Sequence, residues 1–333
     1  PDIVGEAFVL ARLGNGQAND GKDAVLRAFA DCPSEVAAVL VRCVQDFAPR
    51  GADAASARED QDQERALAWL RAMGDAPNLP LPSLLIVVDA LPHQTLALRS
   101  LAVEWERRAV AFLREQAAAN PDLCATLARN LNNFANRLSN AGQRQEALTI
   151  AAEVATRYRE LAVANPDAFR PLLAMSLNNL ANSLSEAGQN EKALTIAGEA
   201  VAIRRELAAA NPDAFRPDLA MSLNNLAVMC SDAGLREKAL TIAGEAVELF
   251  RELAAANPDA FRPVLAGSLN TLANRLSGAG QRQEALTIAR ESATIYWTLF
   301  QNWPEYFRSN LMIAMTTWLS LRHSVSREEA LAM

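Results

Sequence analysis

Apolar residues in the second half of the chain keep a helical spacing. In residues 171–211, Leu177, Leu180, Ala181 and Leu184 fall at i, i+3, i+4 and i+7, one face of an α-helix. Gly188 breaks the pattern at a turn. A second helical stretch begins near Glu191, with Ala193, Ile196, Ala197, Ala200, Val201 and Ile203 facing inward. It runs to Ala210. Asn211-Pro212 ends it, because the residue before a proline avoids the α region. Pro171 suits the first turn of the preceding helix, where a missing N–H costs nothing. Phe215, in the connector, is placed to plug the seam between units, as are Phe169 and Phe261. The period-2 alternation of a half-buried strand is absent.

This two-helix pattern repeats. Asn-Pro-Asp recurs at Asn120, Asn165, Asn211 and Asn257, in steps of 45, 46 and 46 residues. Blocks 166–211 and 212–257 agree at 36 of 46 positions. Such a period predicts a solenoid, whose units cannot bury an apolar face alone and stack to do so. Ala181, Ala193, Ala197 and Ala200 sit where two helices must cross closely. Gly142, Gly188, Gly234 and Gly280 mark the turn inside each unit. The expectation is an all-α, right-handed superhelix with a helical N-terminal region.

The pattern resembles the tetratricopeptide repeat. The residues that carry the likeness are Leu177, Leu180, Ala181, Leu184, Gly188 and Ala193, with counterparts in register beginning at Leu131, Leu223 and Leu269. The unit is longer than the standard repeat, and Arg205 stands where the family's helix-ending proline would be. Long units with a Leu-Asn-Asn-Leu-Ala phrase look like the kinesin light chain subtype. The array is expected over residues 81–333. Four clear repeats occupy about 122–303, with degenerate flanking units at 81–121 and 304–333. Atypical end units are expected to cap such a core.

Residues 1–80 lack the period. Ala24 to Ala30, Glu35 to Phe47 and Gln63 to Met73 read as helices, and Gly51 to Arg58 as a loop. The opening Pro1 to Leu10 resembles the segment after the winged helix of bacterial STAND signalling ATPases, where a repeat array senses a ligand. That likeness, a first residue other than Met and a final helix that only opens read as a piece of a longer protein. Gly16 to Lys22 nearly fits the phosphate-cradling GxxxxGK[ST] loop. Asp23 takes the place of the hydroxyl, and its charge would repel phosphate.

A net charge of −7 and a pI near 5.1 argue against nucleic-acid or membrane surfaces, which need clustered positive charge. Leu81 to Leu91 is the most apolar stretch; it is short and contains Asp89. Cys32, Cys43, Cys124 and Cys230 suit neither a zinc site nor a disulfide framework, and read as buried reduced thiols of a cytoplasmic protein. The two histidines, His93 and His323, are far apart. No metal, cofactor or catalytic constellation is expected.

In an array of this kind the first helices line the concave face. Residues one and five places after the first motif leucine share a face there. They are Asn132 and Asn136, Asn178 and Asn182, Asn224 and Val228, Asn270 and Asn274. Asparagine is a poor interior helix residue, so the row needs a reason. An amide offers donor and acceptor to a bound peptide backbone. Arg129, Arg137 and Arg275, on or beside the same helices, would favour an acidic ligand; solvated edge positions explain them equally well. Alternatively the amides bond between adjacent first helices and set repeat spacing, a role that suits Asn133, Asn179 and Asn225. Glu199 and Glu206 read as solvated faces. The dense aromatics of the last segment, from Tyr296 to Trp318, read as packing against a larger cap. The sequence points to a non-enzymatic module that binds a protein or peptide. A nucleotide-binding fragment using Gly16 to Lys22 and an oligomerisation scaffold remain as alternatives, and the oligomeric state stays open.

Overall fold

The computed structural model describes residues 18–46, 54–75, 79–91 and 98–332. Among them all regular structure is helical, with fourteen α-helices and a 3-10 turn. The helices are α1 (Ala18–Asp31), α2 (Pro33–Asp46), α3 (Ala54–Gly74), α4 (Leu81–Ala90) and α5 (Arg99–Ala119). After the turn Pro121–Leu123 come α6 (Cys124–Asn140), α7 (Arg144–Ala164), α8 (Pro166–Glu186), α9 (Asn190–Ala210) and α10 (Pro212–Asp232). The chain ends with α11 (Arg236–Ala256), α12 (Pro258–Gly278), α13 (Arg282–Asn302) and α14 (Pro304–Ala332). They form two compact units, residues 1–157 and 158–333.

Residues 1–17, which contain the STAND-like opening and Gly16, lie outside the described residues, as does His93. Lys22 and Asp23 are on α1. Residues 54–58, expected in a loop, open α3. The first helices of the repeats also start earlier than expected. α8 begins at Pro166, and Pro171 lies inside it. Asn165 explains the early start: its Oδ1 accepts the Ala168 N–H at 3.3 Å. Asn211 does the same for Ala214 and Asn257 for Ala260. Each cap is followed by a proline at the first helical position, where its fixed φ favours the helix. An internal proline removes one backbone hydrogen bond, and the start is strong enough to absorb it. Phe169, Phe215 and Phe261 therefore lie on helices rather than in connectors, half-buried. The first step of 45 residues has a local cause too. Asn120 Oδ1 accepts the Asp122 N–H, and a 3-10 turn stands where the later copies have α-helix.

In the first unit, α1 to α5 share a core of residues such as Leu40, Leu70, Val87 and Trp105. The Trp105 indole lies on Gly74, where a Cβ would come within 2.1 Å of the ring, and its Nε1–H donates to Asp75 Oδ1 at 3.2 Å. Only glycine fits at that contact.

In the second unit each helix from α8 to α14 packs on the next, and first helices also touch: α8 on α10, α10 on α12, α12 on α14. Ala181, Ala193 and Ala200 are fully buried and Ala197 nearly so, which lets the helices approach closely. The glycine turns have φ of 73° to 81° at Gly188, Gly234 and Gly280, a region that disfavours other residues. This is an α–α solenoid.

The seams between hairpins are keyed individually. Arg204 on α9 is 6% exposed and donates to the Asp218 carbonyl on α10. Burial lowers the pKa of its guanidinium, and the Asp218 charge opposes this. One repeat later the equivalent positions are Phe250, fully buried, and Val264. The same joint is thus polar at one seam and apolar at the next. Arg204→Ala should lower stability by about 1–3 kcal/mol through lost packing and hydrogen bonding. Arg204→Phe with Asp218→Val should restore the denaturation midpoint, because it copies the neighbouring seam. Urea unfolding of both variants checks this.

Candidate functional site

First helices position the asparagine row. On α8, Asn178 is half-buried, and its Oδ1 receives the Asn225 Nδ2–H at 3.4 Å and the Ser222 hydroxyl at 3.5 Å, both from α10. Asn178 therefore ties adjacent first helices. One repeat on, Thr271 takes the place of Asn225 and donates to the Gly267 carbonyl of its own helix at 3.2 Å, while Ser268 keeps the serine position. One further on, the serine position holds Ala314, which has no donor. The Oδ1 atoms of Asn224 and Asn270 are buried with no hydrogen-bond donor among the described residues. A buried acceptor left unpaired costs about 1–3 kcal/mol. Five places after the motif leucine, Asn182 and Val228 are half-buried and Asn274 is exposed.

The arginines part company. Arg275, on α12 beside Asn274, is half-buried and has no ion pair among the described residues; its Nε is buried and unpaired. In the first unit, α6 carries Arg129 and Asn136, both exposed, and Asn132, which is buried. Arg137 on the same helix is turned inward and 4% exposed. Its Nε lies 3.2 Å from Glu106 Oε2, and its guanidinium donates to the carbonyls of Leu91 at 2.9 Å and Val88 at 3.2 Å. Burial pushes the Glu106 carboxyl up to about 7; Arg137 pulls it down, and Asp89 adds to the rise. Arg137 holds the end of α4 against α5 and α6, and it is not presented to a ligand.

Sequence reading missed the ion pairs on the second helices. Arg159 pairs with Glu199 at 2.7 Å, Arg205 with Glu245 at 2.7 Å and Arg251 with Glu291 at 2.9 Å. A further set joins Arg170 to Glu206 and Arg216 to Glu252. Glu199 is thus a partner across a seam and Glu206 a partner within its own hairpin, rather than merely solvated. Pairs 40 and 36 residues apart inside a 46-residue period were the signal. Of the thiols, Cys43 and Cys230 are buried, whereas Cys124 is half-buried and Cys32 exposed. Among the described residues no group of His, Cys, Asp and Glu side chains could hold a metal, and no helix is long and apolar enough to cross a membrane.

Stacked hairpins joined through keyed seams define a helical-repeat interaction module. The tetratricopeptide-repeat family model matches residues 127–166, 173–213, 219–258 and 265–300, so this part of the chain is built from that repeat. Similar solved structures include BtubC (BKLC) from P. vanneervenii, 18% identical, covering 71% of this chain and 93% of that one with a TM-score of 0.48. A Podosopora anserina protein of nearly identical TPR-like repeats, assigned to kinesin light chain, is 22% identical over 61% of this chain and 89% of its own, with a TM-score of 0.44. The STAND protein PH0952 from Pyrococcus horikoshii, with a tetratricopeptide repeat sensor, is 15% identical; the match covers 93% of this chain but 46% of that one, with a TM-score of 0.48. No match was found among curated protein sequences.

The two environments of the amide row are separable. Asn178→Ala should lower stability by about 1 kcal/mol, because it removes a bridge. Asn224→Ala should be close to neutral, because its acceptor has no donor to lose. Chemical denaturation of the two variants, compared with wild type, decides between them.

Proposed function

We propose that the second unit binds an extended peptide along its first-helix face, with Asn182, Asn224, Asn270 and Asn274 as hydrogen-bonding groups and Arg275 as an attraction for a carboxylate. The observation that supports this most is the unused capacity at α12. There the Arg275 Nε, like the Asn270 Oδ1 of the same helix and the Asn224 Oδ1 of the first helix before it, is buried without a hydrogen-bond partner. A row of amides can hold a peptide backbone whatever its sequence, and the side chains between set preference. Asn178 serves chiefly to space the repeats in this reading. In the first unit, Asn136 and Arg129 are the exposed candidates, and Asn132 is a buried one. The wider proposal is that the array senses a ligand within a larger STAND-like signalling protein, which rests on the likeness of residues 1–10.

The test selects peptides from a random displayed library on the intact chain, then measures their affinity for Asn182→Ala/Asn274→Ala/Arg275→Ala. The expected outcome is at least tenfold weaker binding with an unchanged melting midpoint. Peptides that bind wild type and the triple variant equally would refute the reading.

A further inference from the structure

Near-identical repeats make each departure visible, and the largest cluster of departures lies at the last seam of second helices. There α11 and α13 flank the N-terminal half of α12, enclosing a groove of about 520 Å³. That is within the range of about 300–1,000 Å³ typical of ligand sites. At the preceding seam, between α9 and α11, Arg216 is held by Glu252 at 3.0 Å and Glu248 lies one turn before it. In the last groove the counterparts of Glu248 and Glu252 are Thr294 and Thr298. Two carboxylates are gone, and Arg262, the counterpart of Arg216, has no ion pair among the described residues. Arg251 remains neutralised by Glu248 and Glu291, and Asp259 stays at the rim. At the end of the groove the capping-asparagine position is Trp303, about half-exposed.

We propose that this groove is a second binding site, independent of the amide row, that takes an acidic extended peptide. Arg262 pairs with a carboxylate of the peptide. Thr294, Thr298 and Asn302 stand at i, i+4 and i+8 along α13, about 6 Å apart by helical rise. Two residues of an extended chain advance about 6.5 Å, so alternate peptide groups keep step with them. Their own hydrogens are engaged within α13, bonding the carbonyls of Arg290, Thr294 and Thr298. Their side-chain oxygens stay as acceptors, which suits peptide N–H groups. Buried Leu265 and Leu299 form an apolar floor, and the Trp303 ring supplies a wall for an apolar side chain.

The test measures fluorescence anisotropy of a labelled, end-blocked peptide of alternating glutamate and leucine, beside the same peptide with glutamine for glutamate. Wild type should bind the glutamate peptide at least tenfold more tightly than the glutamine peptide. Thr298→Glu, which copies the preceding seam and so preserves folding, should weaken it at least tenfold, as should Arg262→Ala. Asn182→Ala/Asn274→Ala should leave it unchanged, which separates this site from the first-helix face. Glu252→Thr should raise the stoichiometry by opening the preceding groove. No binding to wild type at millimolar peptide, equal binding by Thr298→Glu, or displacement by inorganic phosphate at millimolar concentration would each overturn the proposal, the last because it marks a general anion site.

Discussion

A helical hairpin of this chain has too much apolar surface to stand alone, and the next hairpin is what covers it. That constraint organises the second unit. Alanines with almost no exposure lie where helices cross, so backbones come close and each seam excludes water. Burial of apolar surface at about 25 cal/mol per Å² makes such seams the main source of stability. Caps, glycine turns and surface ion pairs refine the geometry, each by about a kcal/mol or less. Because contacts run only between neighbours, stability is a sum of units and interfaces.

Within that frame the seams are free to differ. Buried Tyr158, Arg204 and Phe250 stand at the same place in successive repeats with different chemistry. So too for the surface charges: an arginine of the first helix pairs with a glutamate of the second in two successive hairpins, until the last, where Thr298 leaves Arg262 without its partner. The first-helix face shows parallel drift. Asn178 is satisfied by Asn225 and Ser222; in later repeats Thr271 and Ala314 replace one donor each, and the acceptors of Asn224 and Asn270 are idle. Departures between the near-identical copies thus fall both at buried joints and on exposed faces.

Periodicity made the helices, the turn glycines and the repeat family readable directly, because core alanines and leucines repeat every 46 residues. The helix starts were misread because Pro171 signals an N-terminus, and the actual start depends on a side-chain cap six residues earlier at Asn165. Arg137 was indistinguishable from Arg275 on the helix face. What separates them is Glu106 on another helix, a tertiary fact that a single repeat does not contain. Aromatic residues near the end divided the same way. Tyr296 and Phe307 pack at a ring separation of 6.4 Å in the terminal core, while Trp297 and Trp303 stay about half-exposed.

The account stands most directly on nearest-neighbour stacking, and excision of one repeat tests it. Deleting residues 212–257 joins Asn211 to Pro258 and recreates the Asn-Pro-Asp junction. The shortened chain should keep its helical circular dichroism per residue and unfold with a smaller dependence on urea, in proportion to the surface removed. Collapse to an unfolded or aggregated chain would contradict it, by showing that the hairpins depend on contacts beyond their neighbours.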